Sequence, residues 1–396
     1  MASIRKRRVT GVLTALCLAA LAAGCGMAPP LAQPGSNPSL GAPASPAASG
    51  EGSQLSARVE GNRLVAGNGF VLRLLGVNRP GMDVLTPAGR CWSIPPSPSE
   101  VDAMLAWRIN TVRIPLNEDC WLGINGVDPT TTAADYRAGL HRYVTLLHEH
   151  GLYAILDLHR SAPGAIPATA MQPMPDADHA PAFWSSVASS FKDDTAVVFD
   201  LYNEPHLGDV LPEGSDYWKC WLSGCTLDVV TSEVSGRQLV TSHSWRTAGM
   251  QQLLDAVRRT GATQPVMVSG LNYANGLSGW LSHAPTDSAR QLVASAHVYN
   301  ESTGCVTTTC WNEQYAPIAR RYPFVTAELG QAGCAHTFTD GYMSFADAHG
   351  ISYLGWSWSL ETNCLVQTGI SLITAWDGTP STSGVGLRDH LRALAG

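Results

Sequence analysis

Two glutamates in this chain, Glu204 and Glu328, each close a short apolar run. A pair of carboxylates facing each other across a site is what glycosidic bond cleavage needs. One must be protonated to donate to the leaving oxygen, and the other must be ionised to attack or to activate water. Other polar or aromatic groups end similar runs: Arg113, His159, Asn203, His297 with Tyr299, and Trp358. Each alone has a bland explanation. A lone Arg or His there is usually structural, a Trp is more often core, and a Glu often caps the next helix. Six of eight such runs ending in groups able to do chemistry is a pattern that packing alone does not produce.

The eight runs span 71–78, 111–115, 153–159, 197–204, 265–270, 292–299, 324–328 and 351–358. Helical patterns lie between them: one starts near Ser97-Pro98-Ser99-Glu100, and others cover 133–150, 247–260, 313–322 and 337–349. Strands alternating with helices predict βαβ units and a parallel sheet, and eight units predict an α/β chain closed as a (β/α)8 barrel. The strand-end residues then gather on one rim. Glu204 and Glu328 end the fourth and seventh strands, neither adjacent nor directly opposed. The interval 204–246 predicts a long loop on the same rim, where long loops usually serve function.

The segment Leu201-Tyr202-Asn203-Glu204-Pro205 resembles the strand-four signature of glycoside hydrolase family 5, the cellulase family. The similarity covers 56–396 and includes Asn110–Pro115, Asp157-Leu158-His159, His297-Val298-Tyr299, Glu328-Leu329-Gly330 and Trp358-Ser359-Leu360. The resemblance implies a retaining β-glycosidase with Glu204 as acid/base and Glu328 as nucleophile, their carboxyl groups about 5–5.5 Å apart. It implies that Arg113 and Tyr299 hydrogen-bond Glu328 and that His297 positions Glu204. Asn203 is then suited to the sugar 2-hydroxyl, His159 to another hydroxyl, and Trp358 to the face of the sugar ring. The expected substrate is a β-1,4-glucan, cleaved internally; a β-mannanase and an exo-acting β-glucosidase or diglycosidase are the enzymatic alternatives. A non-catalytic, surface carbohydrate-binding lipoprotein is the alternative of another class. The full set of polar partners around two carboxylates favours the enzyme.

Aromatic faces cover the apolar faces of pyranose rings, so Trp92, Trp121, Trp218, Trp221, Trp245 and Trp311, in expected rim loops, are candidate subsite residues, about half of them expected to be structural. Asn272 and Tyr273, after the fifth run, are further possible contacts. No phosphate-cradling glycine loop or CxxC spacing occurs, so neither a metal nor an organic cofactor is implied.

At the N-terminus a basic start at 5–8 and an apolar run at 9–24 read as a signal peptide over 1–25. Its end resembles a bacterial lipobox, with Cys25 as the lipidated residue, although the bulky position falls at Leu21; an ordinary secretory signal is the alternative. Residues 26–55, rich in Pro, Ala, Ser and Gly, are an expected disordered tether. The catalytic domain is then 56–396, exported and held at a membrane only by the lipid anchor, or secreted. It is expected to be a monomer. The net charge of −7 becomes more negative without the basic start, which argues against nucleic acid and anionic lipid as targets. Eight cysteines remain: Cys91, Cys120, Cys220, Cys225, Cys305, Cys310, Cys334 and Cys364. An even count in an exported chain predicts disulfides, and sequence alone leaves the pairing open. Pairing of neighbours is the expectation: Cys220–Cys225, Cys305–Cys310, Cys91–Cys120 and Cys334–Cys364.

Overall fold

The computed structural model describes residues 55–91, 96–234, 237–360, 364 and 370–396. The expected signal with Cys25, the tether up to residue 54, and Trp92 lie outside the described residues.

An antiparallel cap comes first: β1 (Ala57–Glu60), β2 (Arg63–Ala66) and β3 (Val71–Leu72). Then β4 (Leu75–Asn78), β5 (Thr111–Asn117), β6 (Tyr153–Arg160) and β7 (Val197–Asp200) form half of a parallel barrel. An antiparallel ribbon follows, β8 (Thr226–Val234) and β9 (Arg237–Arg246). The barrel closes through β10 (Val266–Ser269), β11 (Leu292–Tyr299), β12 (Phe324–Gly330) and β13 (Ser352–Gly355), which pairs with β4. The helices are α1 (Pro98–Ala106), α2 (Glu118–Leu122), α3 (Ala133–Glu149), α4 (Ala180–Phe191), α5 (Tyr217–Ser223), α6 (Met250–Arg258), α7 (Trp280–His283), α8 (Thr308–Cys310), α9 (Ala316–Ala319), α10 (Thr337–Ala348) and α11 (Thr382–Ala395). The expected helix at 313–322 is broken, with a π turn over Trp311–Tyr315 before α9.

Barrel strands buried on both faces need apolar residues throughout, and β5, β7, β10, β12 and β13 are buried at every position. Strand periodicity sorts these side chains into two cores. Ile155, Val198, Met267, Val293, Val325 and Leu354 fill the barrel interior, and Ala57 and Leu64 of the cap plug its bottom. Ala154, Leu156, Val197 and Phe199 face the helices. The same alternation carries Asp157 and His159 upward above Ile155, and Asp200 above Val198.

Three runs differ from expectation. The first divides: Val71 and Leu72 pair with β2, and only Leu75–Asn78 enters the barrel. The fourth and eighth strands stop at Asp200 and Gly355, so Glu204 lies on the loop beyond β7. That loop stays fixed because Leu201 N–H donates to Met267 and Asn203 N–H to Leu158.

The four disulfides join neighbours as expected: Cys91–Cys120, Cys220–Cys225, Cys305–Cys310 and Cys334–Cys364. All lie in or beside segments that follow the C-terminal ends of barrel strands. Where β4 meets β5 the backbones leave no room for a side chain, since a Cβ on Gly76 would fall 1.8 Å from the Thr111 carbonyl oxygen. Gly76→Ala should therefore lower stability by at least about 1–3 kcal/mol. Urea denaturation with an unchanged midpoint would contradict that packing.

Candidate active site

The floor of the site is one guanidinium. Arg113, wholly buried on β5, makes four hydrogen bonds and one further ion pair, with partners on all three of its nitrogens. Nε donates to Asp200 at 2.9 Å, and Nη1 donates to Asn78 at 3.0 Å and to Glu328 at 2.9 Å. Nη2 donates to Asn203 at 2.9 Å and meets Asp157 at 3.0 Å. Three buried carboxylates thus share one cation. Burial outweighs that single charge at Asp157 and Asp200 and pushes each up to about 7. Arg113 itself is held above its ordinary value by the carboxylates around it, which outweigh its own burial.

Glu328 reaches the same mouth through an irregularity. In β12 the register against β11 shifts, with Thr326 opposite Ala296 and Glu328 opposite His297, so Ala327 is an extra residue. A bulge of this kind re-aims the next side chain. Ala327 stays in the barrel core while Glu328 turns toward Arg113. Its second oxygen accepts from the Tyr299 hydroxyl at 2.5 Å. Burial and the adjacent carboxylate push the Tyr299 phenol well up, so it serves as a neutral donor.

Glu204 faces Glu328. His297 Nδ1 lies 2.8 Å from Glu204 and 3.5 Å from Glu328, and one oxygen of each carboxylate and a nitrogen of His297 all fall within 4.8 Å of one another. Burial pushes His297 down to about 3 despite Glu328 nearby, so it is neutral in ordinary conditions. Burial raises Glu204 above the usual carboxylate range. One carboxyl is therefore biased toward holding a proton, while the other sits against a cation and a phenol. That division suits an acid beside a nucleophile.

Above the floor, His159 Nδ1 lies 2.7 Å from Asp157, and its ring stacks on Trp356 at 5.6 Å and 11°. Asn203 accepts from Arg113, which fixes its amide; one N–H of its NH2 donates to Met171 Sδ at 3.5 Å, and the other is the group for a ligand. Arg113, His159, Asn203, His297 and Tyr299 are thus brought together with both glutamates.

Trp358 is not at the mouth. It is fully buried, set edge-on against Trp107 at 5.0 Å, because β13 ends at Gly355 and the chain then turns under the rim. The exposed-face role passes to Trp356, two residues after the inward Leu354. The candidate rim aromatics are also largely structural. Trp121, Trp221, Trp245 and Trp311 are buried, and the last three donate their indole N–H to Ser269, Val229 and Cys305 carbonyls. Trp218 is half-buried, with its ring face taken by His283 and its edge by Trp221. These tryptophans brace the loops. Tyr273 does remain accessible: it stacks on His206 at 4.5 Å, bonds Asp209, and lines a groove of ≈ 310 Å³ with Asn272 and Tyr299.

The residues that sequence reasoning left without a role are Asn78, Asp157, Asp200 and Trp356. Alternation from the apolar members of each strand was the signal for Asp157 and Asp200. Two groupings have metal-ligand atom types among the described residues, Glu204–His297–Glu328 and Glu118–Asp176–His179. In the first, the carboxylates are already engaged by Arg113, Tyr299 and His297.

The sequence profile described as Cellulase (glycosyl hydrolase family 5) matches residues 75–362. Endoglucanase MaCel5A of Microbulbifer sp. (strain ALW1) is 22% identical over 281 residues, 66% of this chain. The chain spans only 45% of that relative's length. Among solved structures, the β-glucanase SdGluc5_26A of Saccharophagus degradans in complex with cellotetraose is 19% identical, with a TM-score of 0.62 over 87% of this chain and 95% of that one. The hyperthermophilic endocellulase of Pyrococcus horikoshii is 15% identical, with a TM-score of 0.63 over 87% and 99%. At such identities the structures establish a shared fold.

The two strand-eight tryptophans should separate cleanly. Trp358→Ala empties a packed core position and should cost about 3–5 kcal/mol of stability. Trp356→Ala should leave the unfolding midpoint near wild type and impair turnover of any glycoside substrate. Paired thermal melts and kinetics check both, and the reverse pattern would reinstate Trp358 at the mouth.

Proposed function

This chain belongs to glycosyl hydrolase family 5, and we propose that it is a retaining endo-β-1,4-glucanase. The observation that carries the mechanism is the approach of the two carboxylates, with oxygens within 4.8 Å. Retaining enzymes need a short gap of about 5–5.5 Å, whereas inverting ones need roughly 6.5–9.5 Å to admit water between carboxylate and sugar. Glu328 attacks the anomeric carbon, its two oxygens held by Arg113 and Tyr299. Glu204 gives its proton to the departing oxygen, then takes one from the water that releases the glycosyl-enzyme. Neutral His297 orients Glu204, the Asn203 amide donates to the sugar 2-hydroxyl, and Trp356 with His159 receives the ring.

Support for a glucan substrate comes from the names of the relatives, an endoglucanase and a β-glucanase in complex with cellotetraose. The segment after β7 favours a second reading for the same centre. Here α5 and the β8–β9 ribbon stand beside the mouth, the ribbon clamped where Gln172 bonds both the N–H and the carbonyl of Thr231. Such a wall suits short chains and release from an end. Export with lipid attachment at Cys25 is part of the proposal, supported by the basic and apolar start and by four disulfides.

Glu328→Ala should abolish hydrolysis of soluble β-glucan while the protein stays folded by circular dichroism. Rapid viscosity loss by the wild type marks internal cleavage, and release only from aryl β-glycosides marks the exo reading. Ordinary turnover by Glu328→Ala would refute the nucleophile. The acid works when protonated, so kcat/KM should fall as pH rises through the raised Glu204 value. Glu204→Gln should lose roughly 10²–10⁴-fold on polymer and much less on an aryl β-cellobioside whose leaving group needs no proton. An equal loss on both substrates would remove Glu204 from the acid role.

A further inference from the structure

The face opposite the catalytic mouth carries a charge pattern that the enzymatic reading does not use. The described chain enters there. Leu55 and Ser56 accept hydrogen bonds from Thr195 and Tyr153, and Ala57 N–H donates to Thr195, all at the N-terminal ends of β6 and β7. The β1–β3 cap covers this face, and a cleft lies on either side of it.

One cleft, ≈ 430 Å³, is lined by Arg63, Arg73, Arg320 and His349 together with Val71 and Phe324, and no carboxylate contributes to its wall. The other holds Arg290 and Arg321 beside Asp287, and Asp287 is already paired with Arg258. Among the described residues, Arg63, Arg290, Arg320 and Arg321 are exposed and have no carboxylate partner. This end thus carries four exposed cations without a carboxylate partner, with Asp193 and Asp194 beside Leu55 on the same face. At the other end of the cap from Arg63, the turn from β2 to β3 projects Phe70, 72% exposed, followed by Val71, 55% exposed.

We propose that this face docks on an anionic lipid surface, with the arginines over the headgroups and Phe70 entering the interface. Each cation close to such a surface adds attraction that decays within a Debye length, and an aromatic at the headgroup level adds apolar burial. The whole-chain charge does not oppose this, because only charges within about 8–10 Å of the bilayer act strongly on it. The point of chain entry agrees: residues 1–54, with their apolar run and Cys25, lead into this same face. Docking so arranged turns the catalytic mouth away from the membrane. The inference goes beyond the hydrolytic reading and does not require lipid attachment at Cys25.

The test uses the full chain with Phe70→Trp, mixed with brominated-lipid vesicles of phosphatidylcholine alone or with phosphatidylglycerol. Extra quenching relative to wild type is expected only with the anionic lipid. It should vanish at high salt, and in an Arg63→Glu/Arg320→Glu background it should need at least about tenfold more lipid. Arg63→Gln/Arg320→Gln should fall between the two. No extra quenching while the protein sediments with vesicles would overturn the proposal, leaving attachment by the N-terminal segment alone. Equal quenching in neutral and anionic vesicles would overturn it too, because the arginines would then contribute nothing. Hydrolysis of soluble β-glucan, measured in the same samples, should be equal in all these variants and reports on the catalytic reading separately.

Discussion

Everything at the mouth of this barrel is arranged around a charge imbalance: one buried guanidinium faces Asp157, Asp200 and Glu328. Buried ions are tolerated only when paired and hydrogen-bonded, and breaking one member of such a set is costly. Arg113 meets that condition with a partner on each of its three nitrogens. Asn78 and Asn203 are held by the same fork, and with Asp157, Asp200 and Glu328 the first, second, third, fourth and seventh strands of the barrel are registered at a single side chain. The pushed-up values of Asp157 and Asp200 follow from their burial, which the one cation between them does not outweigh. A proton somewhere in this floor is the alternative to an unpaired buried charge.

The fold separates this polar layer from the apolar one by simple alternation. Below Arg113 the interior is Ile155, Val198, Met267 and their neighbours, closed by the cap. Above it come the two glutamates. The irregularity in β12 is the exception that the site needs: if alternation ran unbroken through the inward Ala327, Glu328 would point among the helices instead of into the mouth. His297, opposite it in register, completes the contact between acid and nucleophile.

Much of this was legible in the chain. The eight apolar runs gave the barrel, and their polar ends gave Glu204, Glu328, Arg113, His159, Asn203, His297 and Tyr299, because a buried strand has few reasons to finish on such groups. What alternation leaves open was harder to read. Trp356 and Trp358 share parity, and only the end of β13 at Gly355 decides which faces the mouth. The rim tryptophans failed for a different reason. A large indole under a long loop gains more from burial and one carbonyl partner than from waiting in solvent, as Trp221 and Trp311 illustrate. Asp200 carried no motif, and its importance comes only from the distant Arg113 it meets.

The disulfide pattern has a consequence for how the chain is made. Numbered in order along 91–364, the eight cysteines join first to second, third to fourth, fifth to sixth and seventh to eighth. A chain threaded N-terminus first into an oxidising compartment presents them in that same succession. An oxidase that links each arriving thiol to the one just before it reaches the native set with no reshuffling afterwards. The connectivity therefore suits hosts that have an oxidase but little isomerase, and the first three bridges can be sealed before the last barrel strand has emerged.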